Sequence, residues 1–213
     1  MSTPTWRPNI VKLWPTLLTR CHLPGHEQHN AQLIELIERL DSEADQMTAY
    51  YREMDFFALQ HPSVTWLRDS LDAAIQAYLD DVGVTYAVRW NLRGWANINR
   101  RGDYHSPHNH GWSYLSGTYY ARVPAQPAAP QSAGAPSAAI SHYDPRGAVN
   151  MLAVGGEGLS QREHRESPSA GTMLLWNSFI NHSVHPNLAQ TTRVSMSFNI
   201  ALAWTDEQVP TDE

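Results

Sequence analysis

Histidines at positions 108 and 110 close the segment His105-Ser-Pro-His108-Asn-His110. On a β-strand this spacing points both imidazoles to the same face, with Cα atoms roughly 6–7 Å apart. Two such rings can grip one divalent metal through bonds of ~2.1 Å to nitrogen. A third ligand from a distant strand would complete one triangular face and leave the other positions open. The pattern is typical of an open catalytic iron site and not of a closed structural zinc site.

Around this segment the hydrophobic pattern predicts a mainly β fold with flanking helices. Apolar residues recur at helical spacing over residues 27–57 and again from Val64 to Asp81. After Gly83 short apolar and β-branched runs predict strands at Val84–Trp90, Trp95–Asn99, Leu115–Val123, Ala148–Leu152, Gly171–Trp176 and Thr192–Leu202. Many short strands after two helices favour a β-sandwich or barrel supported by helices on one side.

The length of 213 residues suits a single domain, residues 1–213. We predict a helical support region over 1–83 and a β core over 84–204. Within the core, residues 124–139 are low-complexity Pro/Ala/Ser and predict a loop between strands. The polar, Gly-rich residues 155–169 predict a second loop, and both loops are candidates to close over a substrate.

Composition argues against several classes of partner. The formal net charge is −6 and no basic stripe is present, so nucleic acid and anionic membranes are not expected as partners. No apolar run approaches the ~18 residues of a membrane span. The N-terminus lacks a signal pattern, and the single Cys21 fits a reducing compartment, which together predict a cytoplasmic protein. Apolar residues on the long N-terminal helix would allow a homodimer.

The last predicted strand carries an unusual polar face. Its apolar residues alternate with Arg193, Ser195, Ser197 and Asn199. A solvent face would normally carry Lys and Glu, whereas small hydroxyls beside one Arg suit a pocket in which the guanidinium clamps a carboxylate. The alternative is an Arg paired with an internal Asp or Glu. His182 lies eleven residues before Arg193 and becomes a metal-ligand candidate because His108 and His110 already form part of a site.

Several short blocks occur in a specific order along the chain. They are Trp95-Ala-Asn97, His108-Asn-His110, Leu115-Ser-Gly-Thr-Tyr-Tyr120, Asp144-Pro-Arg146, Gly171-Thr-Met-Leu-Leu-Trp176, His182-Ser-Val-His-Pro186 and Arg193-Val-Ser-Met-Ser-Phe-Asn199. In their order and spacing the chain resembles a family of Fe(II)/2-oxoglutarate oxygenases with H-x-H, L-S-G-x-Y-Y, D-P-R and R-x-S-x-S-F-N signatures. The resemblance spans nearly the whole chain, and the Pro/Ala loop is the main departure.

The resemblance implies a double-stranded β-helix (a jelly-roll, cupin-like core) with Fe(II) between its sheets and 2-oxoglutarate and O2 as co-substrates. By position, His108 and His182 would be the two histidine ligands of the broader superfamily. Arg193 and Ser195 would hold the distal carboxylate of 2-oxoglutarate. The same co-substrate is within reach of the strand residues Asn97 and Tyr120.

The third metal ligand departs from the superfamily pattern. Asp or Glu usually stands two residues after the first His, whereas this chain has His110. The site is therefore either a three-histidine face or takes a carboxylate from elsewhere, with Asp103 and Asp144 as candidates. We favour His110 because its face and spacing are already right. Strand alternation turns His105 away from His108 and His110.

These features favour an Fe(II)/2-oxoglutarate-dependent dioxygenase that hydroxylates a C–H bond of a small-molecule or amino-acid-like substrate. Two alternatives stay open. One is a three-histidine cupin-type dioxygenase that does not use 2-oxoglutarate. The other is a non-catalytic jelly-roll binding protein. The sequence does not distinguish hydroxylation from halogenation, desaturation or cyclisation.

Overall fold

A computed structural model describes residues 9, 12–43, 54–125, 136–147 and 161–203. Its elements in chain order are β1 (Leu18–His22), α1 (His26–Ser42), a 3-10 turn (Phe56–Ala58), α2 (Pro62–Asp81), β2 (Arg89–Asn99), β3 (His105–His108), β4 (Leu115–Arg122), β5 (Ile140–Tyr143), β6 (Glu163–Glu166), β7 (Thr172–Asn177), β8 (His182–Val184) and β9 (Arg193–Ala203). Neither described helix is long and apolar enough to cross a bilayer.

The strands form two antiparallel sheets. The five-stranded sheet has the order β1-β7-β4-β9-β2, and the four-stranded sheet has the order β3-β8-β5-β6. Tyr120, Leu174 and Trp176 from the first sheet pack against Ile140 and Val184 from the second. The sheets therefore face each other across an inner core, and the predicted double-stranded β-helix is confirmed.

Side-chain alternation sends the two faces of each central strand to different places. In β9, Val194, Met196, Phe198 and Ile200 join the larger core cluster, which includes buried leucines and isoleucines of α1 and α2. The polar positions of β9 consequently lie on the inner face, between the sheets. The alternation of side chains along β9 thus places its apolar face against the helices and its polar face between the two sheets.

Several predicted boundaries differ from the structure. Within the predicted helix over 27–57, the structure describes α1, which ends at Ser42, and the 3-10 turn at Phe56–Ala58. Residues 44–53 lie outside the described residues. The two predicted strands Val84–Trp90 and Trp95–Asn99 form one strand, β2, which begins at Arg89 and pairs with β9 along its whole length. The predicted strand Ala148–Leu152 and most of the loop over 124–139 lie outside the described residues.

The short strands β1, β5, β6 and β8 are not among the predicted strands, and two of them, β1 and β6, lie at sheet edges. β1 pairs with β7 and adds a strand to the predicted helical support region. β6, with sequence Glu-His-Arg-Glu, pairs with β5 inside the predicted loop over 155–169. Both strands are short and rich in polar residues, as is common for protected sheet edges, so neither gives a hydrophobic alternation signal.

Gly117 lies where the neighbouring strands β7 and β9 approach the backbone of β4 closely. A Cβ atom at this position would overlap the carbonyl oxygen of Leu174 and the ring of Phe198. We expect Gly117→Ala to lower the free energy of unfolding by about 1–3 kcal/mol, because a packed core resists an added methyl group. Gly147→Ala is the matched control, since a Cβ there meets nothing within 4 Å. Equal urea-denaturation midpoints for the two variants would contradict the expectation.

Candidate metal centre

Three predicted histidines converge between the sheets. His108 ends β3 and pairs with His182, the first residue of β8, while His110 lies two residues beyond the end of β3. Their ring centroids are 4.3 Å (His108–His182), 5.1 Å (His108–His110) and 5.2 Å (His110–His182) apart. One nitrogen from each ring lies within 4.8 Å of the others, a group that could hold a metal ion.

Backbone carbonyls fix the tautomers of two of these rings. Nδ1 of His108 lies 2.7 Å from the carbonyl oxygen of Ser106, and Nδ1 of His182 lies 3.2 Å from that of Ile180. A carbonyl only accepts hydrogen bonds, so Nδ1 carries the proton in both rings. Nε2 is then left with its lone pair, which is the arrangement common to metal-ligating histidines.

Burial keeps two of the rings neutral. Desolvation, with a smaller contribution from His108, lowers the pKa of His110 to about 4. Desolvation is also the largest cause that lowers the pKa of His182 to about 3. Both imidazoles are therefore unprotonated at neutral pH, the state in which a histidine binds a metal.

Neither carboxylate considered from the sequence joins the group. Asp103 accepts a hydrogen bond from the backbone N–H of Arg100 at 2.7 Å, and Asp144 pairs with Arg146 at 2.6 Å. Hydrogen bonds from Arg146 are the largest cause that lowers the pKa of Asp144. Among the described residues, the three imidazoles are the only group of this kind.

An amide that the sequence pattern leaves without a specific role lies beside the third ring. Nδ2 of Asn199 is 3.5 Å from Nδ1 of His110, and its Oδ1 accepts a hydrogen bond from Ser116 at 2.8 Å. Because His110 stands outside β3, strand geometry does not orient its ring. The polar alternation of β9 already placed Asn199 on the correct face.

The predicted orientation of His105 is wrong. Along β3, His105 pairs with Val184 and His108 with His182, so three steps on one strand match two on the other. This bulge turns the His105 ring toward the same cavity, 6.4 Å from the ring of His108. Its Nε2 lies 3.3 Å from Nδ2 of Asn99.

A cavity of about 500 Å³ adjoins the three histidines. Its walls include all the co-substrate candidates named from the sequence, Asn97, Tyr120, Arg193 and Ser195. Each of these four side chains is almost fully buried. The fold thus brings the predicted co-substrate residues and the predicted metal ligands into one space.

The Arg193 guanidinium is buried, and no carboxylate of the described residues pairs with it. Its side chain is only 2% exposed, and its hydrogen bonds go to neutral oxygens, Oδ1 of Asn99 at 2.6 Å and the carbonyl of Ala138 at 3.5 Å. Its Nε has no partner. Burial lowers the pKa of this guanidinium. The alternative of an Arg paired with an internal Asp or Glu is therefore wrong.

Two further polar atoms on the cavity wall lack partners. The Tyr120 hydroxyl is buried and unpaired, and its ring lies 5.9 Å from the guanidinium carbon of Arg193. Asn97 donates to Ser197 at 2.9 Å, but its Oδ1 has no partner. Buried polar groups normally make hydrogen bonds, so a polar ligand in the cavity would complete the hydrogen bonding of these atoms.

Comparisons with known proteins identify the family and the fold. Residues 93–199 match the family described as "Putative 2OG-Fe(II) oxygenase". A comparison with curated protein sequences finds no match.

Among solved structures, a prolyl-4-hydroxylase from Pseudomonas putida matches with a TM-score of 0.60 and 16% identity, over 87% of this chain and 88% of that one. AviO1 from Streptomyces viridochromogenes matches with a TM-score of 0.56 and 13% identity, over 92% and 93% of the two chains. HygX from Streptomyces hygroscopicus, with nickel and 2-oxoglutarate bound, matches with a TM-score of 0.51 and 14% identity, over 87% and 82%. At these identities the similarity is one of fold.

Proposed function

Because this chain belongs to the 2OG-Fe(II) oxygenase family, we propose that it hydroxylates a C–H bond of a small-molecule or amino-acid-like substrate. When bound, Fe(II) with 2-oxoglutarate and O2 supplies the oxidising chemistry. One oxygen atom of O2 enters the substrate and the other enters succinate, while 2-oxoglutarate loses CO2.

His108, His110 and His182 would hold the Fe(II). The donor set fits the ion, since one nitrogen of each imidazole lies within 4.8 Å of the others and two of the rings already donate Nδ1–H to carbonyls. Three neutral ligands give the ion no negative charge. The site would therefore favour an anionic co-substrate more strongly than a metal site with a carboxylate ligand would.

Arg193 would bind the distal carboxylate of 2-oxoglutarate. The burial of its guanidinium without a carboxylate partner among the described residues is the single observation that carries the proposal. A buried guanidinium without a counter-ion is costly, and a carboxylate supplies both the charge and a bidentate acceptor. The Tyr120 hydroxyl, Ser195 and Oδ1 of Asn97 line the same cavity and would complete its hydrogen bonds.

The remaining chemistry requires little of the protein. The metal centre would supply the oxidising chemistry, so the walls of the cavity would serve to orient the co-substrate and exclude water. His108, His110 and His182 would hold the ion, and Arg193 would hold the co-substrate beside it.

Anaerobic titration of Fe(II)-loaded protein with 2-oxoglutarate tests the proposal. We expect a weak visible charge-transfer band that saturates with the co-substrate, followed by succinate formation when air is admitted. No band in fully iron-loaded protein would favour a non-catalytic binding protein. Oxygen consumption without any need for 2-oxoglutarate would favour the three-histidine cupin-type dioxygenase.

Variants of two adjacent tyrosines distinguish an effect on co-substrate binding from an effect on the free energy of unfolding. The Tyr120 hydroxyl has no partner, so Tyr120→Phe should leave the free energy of unfolding unchanged or slightly higher. It should weaken 2-oxoglutarate binding about 10- to 100-fold, the effect of losing a hydrogen bond to a charged group.

Tyr119→Phe is the matched control. Its hydroxyl donates to Oδ1 of Asn30 at 2.5 Å on the helix side of the sheet. We expect it to lower the free energy of unfolding by about 1 kcal/mol and to leave 2-oxoglutarate binding unchanged. Chemical denaturation and the charge-transfer titration measure the two effects. Equal binding losses for the two variants would contradict the assignment of Tyr120.

A further inference from the structure

A second and larger cavity, of about 850 Å³, lies on the other side of Trp176 from the first. Its inner wall includes His142 of β5, Trp176 of β7 and Ile180. Its other walls come from β1, β6 and the segment before β1. Trp176 lines both cavities, so one side chain separates the proposed co-substrate space from this one.

The inner end of this cavity is next to the candidate metal ligands. His142 lies directly opposite His182 on the neighbouring antiparallel strand, so the two side chains share the inner face of the sheet. Their ring centroids are 6.2 Å apart. The Trp176 ring contacts both edge-on, 4.6 Å from His142 and 4.9 Å from His182. A molecule that reaches His142 is therefore beside the proposed metal site.

Polar atoms on this wall have no hydrogen-bond partner. His142 is 6% exposed and Trp176 is 2% exposed, yet both ring nitrogens of His142 and Nε1 of Trp176 are unpaired. Buried polar groups normally make hydrogen bonds, so a polar group inside the cavity would supply the partners that these atoms lack. A neutral imidazole offers one donor and one acceptor, and the indole offers one donor.

Four of the five Asp, Glu, Lys and Arg side chains that line the cavity form ion pairs with one another. Arg20 pairs with Glu166, and Arg146 pairs with Asp144 at 2.6 Å. The fifth, Lys12, is exposed to solvent, so among the described residues no buried charge like that of Arg193 lines this cavity. The unpaired groups at the inner wall suit a neutral ligand that both donates and accepts.

We propose that this second cavity binds the primary substrate, with a hydroxyl or secondary amide group of the substrate at His142 and Trp176. The inference rests on the proposed oxygenase function and names the substrate class of that site, a neutral hydroxylated or amide-bearing organic molecule. The end of the substrate at His142 would then lie beside His182, and the rest would extend toward the mouth of the cavity.

The probe for this site is N-methylacetamide, the smallest secondary amide with one donor and one acceptor. Protein loaded with Mn(II) and saturating 2-oxoglutarate should broaden the NMR signals of the probe, because the paramagnetic ion lies beside the cavity. His142→Phe keeps a ring of similar size, and we expect it to raise the Kd of the probe about 2- to 12-fold, the effect of losing one neutral hydrogen bond. Trp176→Phe should act in the same direction. His22→Phe, on β1 outside both cavities, is the control and should not change the Kd.

The 2-oxoglutarate charge-transfer band keeps this test separate from that of the function. If wild-type protein gives no band, the proposed function fails. If the band persists in His142→Phe, the variant is folded and its metal site is intact. The cavity assignment is overturned if wild-type protein does not broaden the probe, if His142→Phe broadens it equally, or if acetate binds more tightly than N-methylacetamide.

Discussion

Replacing Arg193 with alanine is expected to weaken 2-oxoglutarate binding roughly 30- to 5,000-fold, which corresponds to the 2–5 kcal/mol cost of truncating one partner of a buried charge pair. Among the described residues, this guanidinium is the only Lys or Arg cation that lines the cavity next to the three histidines. Its own hydrogen bonds go to neutral oxygens. The variant should also lose the thermal stabilisation that 2-oxoglutarate gives the metal-loaded protein, which is about 2.7 kcal/mol at 100 times Kd for the wild type.

Two companion variants make the Arg193 result specific. Arg193→Lys keeps the charge but loses the bidentate fork, so its binding should fall between that of wild type and Arg193→Ala. Arg89 is an exposed arginine at the start of β2, whereas Arg193 pairs with Asn99 at the end of that strand. Arg89→Ala should therefore not change 2-oxoglutarate affinity. Unchanged succinate formation and unchanged co-substrate binding in Arg193→Ala would reject the assignment and favour the cupin-type alternative.

Replacing His182 with alanine is expected to lower Fe(II) affinity by more than about 100-fold. Removing only a hydrogen-bond partner of a metal ligand lowers metal affinity by about 10- to 100-fold, so removing the ligand itself should cost more. The ring is 4% exposed and is the ligand candidate contributed by a different strand from His108. Anaerobic calorimetry with Fe(II) measures the affinity. His185→Ala is the matched control, since His185 bonds to Ser141 outside the histidine group and should change affinity within roughly two-fold.

Variants of His110 decide the third ligand. His110→Ala should weaken Fe(II) binding as His182→Ala does, whereas His110→Asp should retain binding because it creates two histidines and one carboxylate. Wild-type Fe(II) affinity in His110→Ala would mean that another group supplies the third ligand.

The alternation of side chains in the sequence predicted the orientation of a residue correctly where that residue lies on one regular strand. The alternation of β9 predicted that Arg193 and Ser195 face away from the apolar core, and the structure has this arrangement because successive side chains of a strand point to opposite faces. The same rule was insufficient at His105, where a bulge adds a residue to β3. It was also not the reason that His110 joins His108, since β3 ends at His108.

The sequence by itself determined the mainly β fold class, the polar face that bears Arg193 and the choice of three candidate histidines. The first two depend on backbone periodicity and the third on residue chemistry, which are local properties of a chain. Only the tertiary structure decided that Asn99 and not a carboxylate holds Arg193, that Asn199 lies beside His110, and that His142 lines a second cavity behind Trp176. The physical reason is that such contacts depend on strand register and on the packing of two sheets, which bring together residues up to a hundred positions apart.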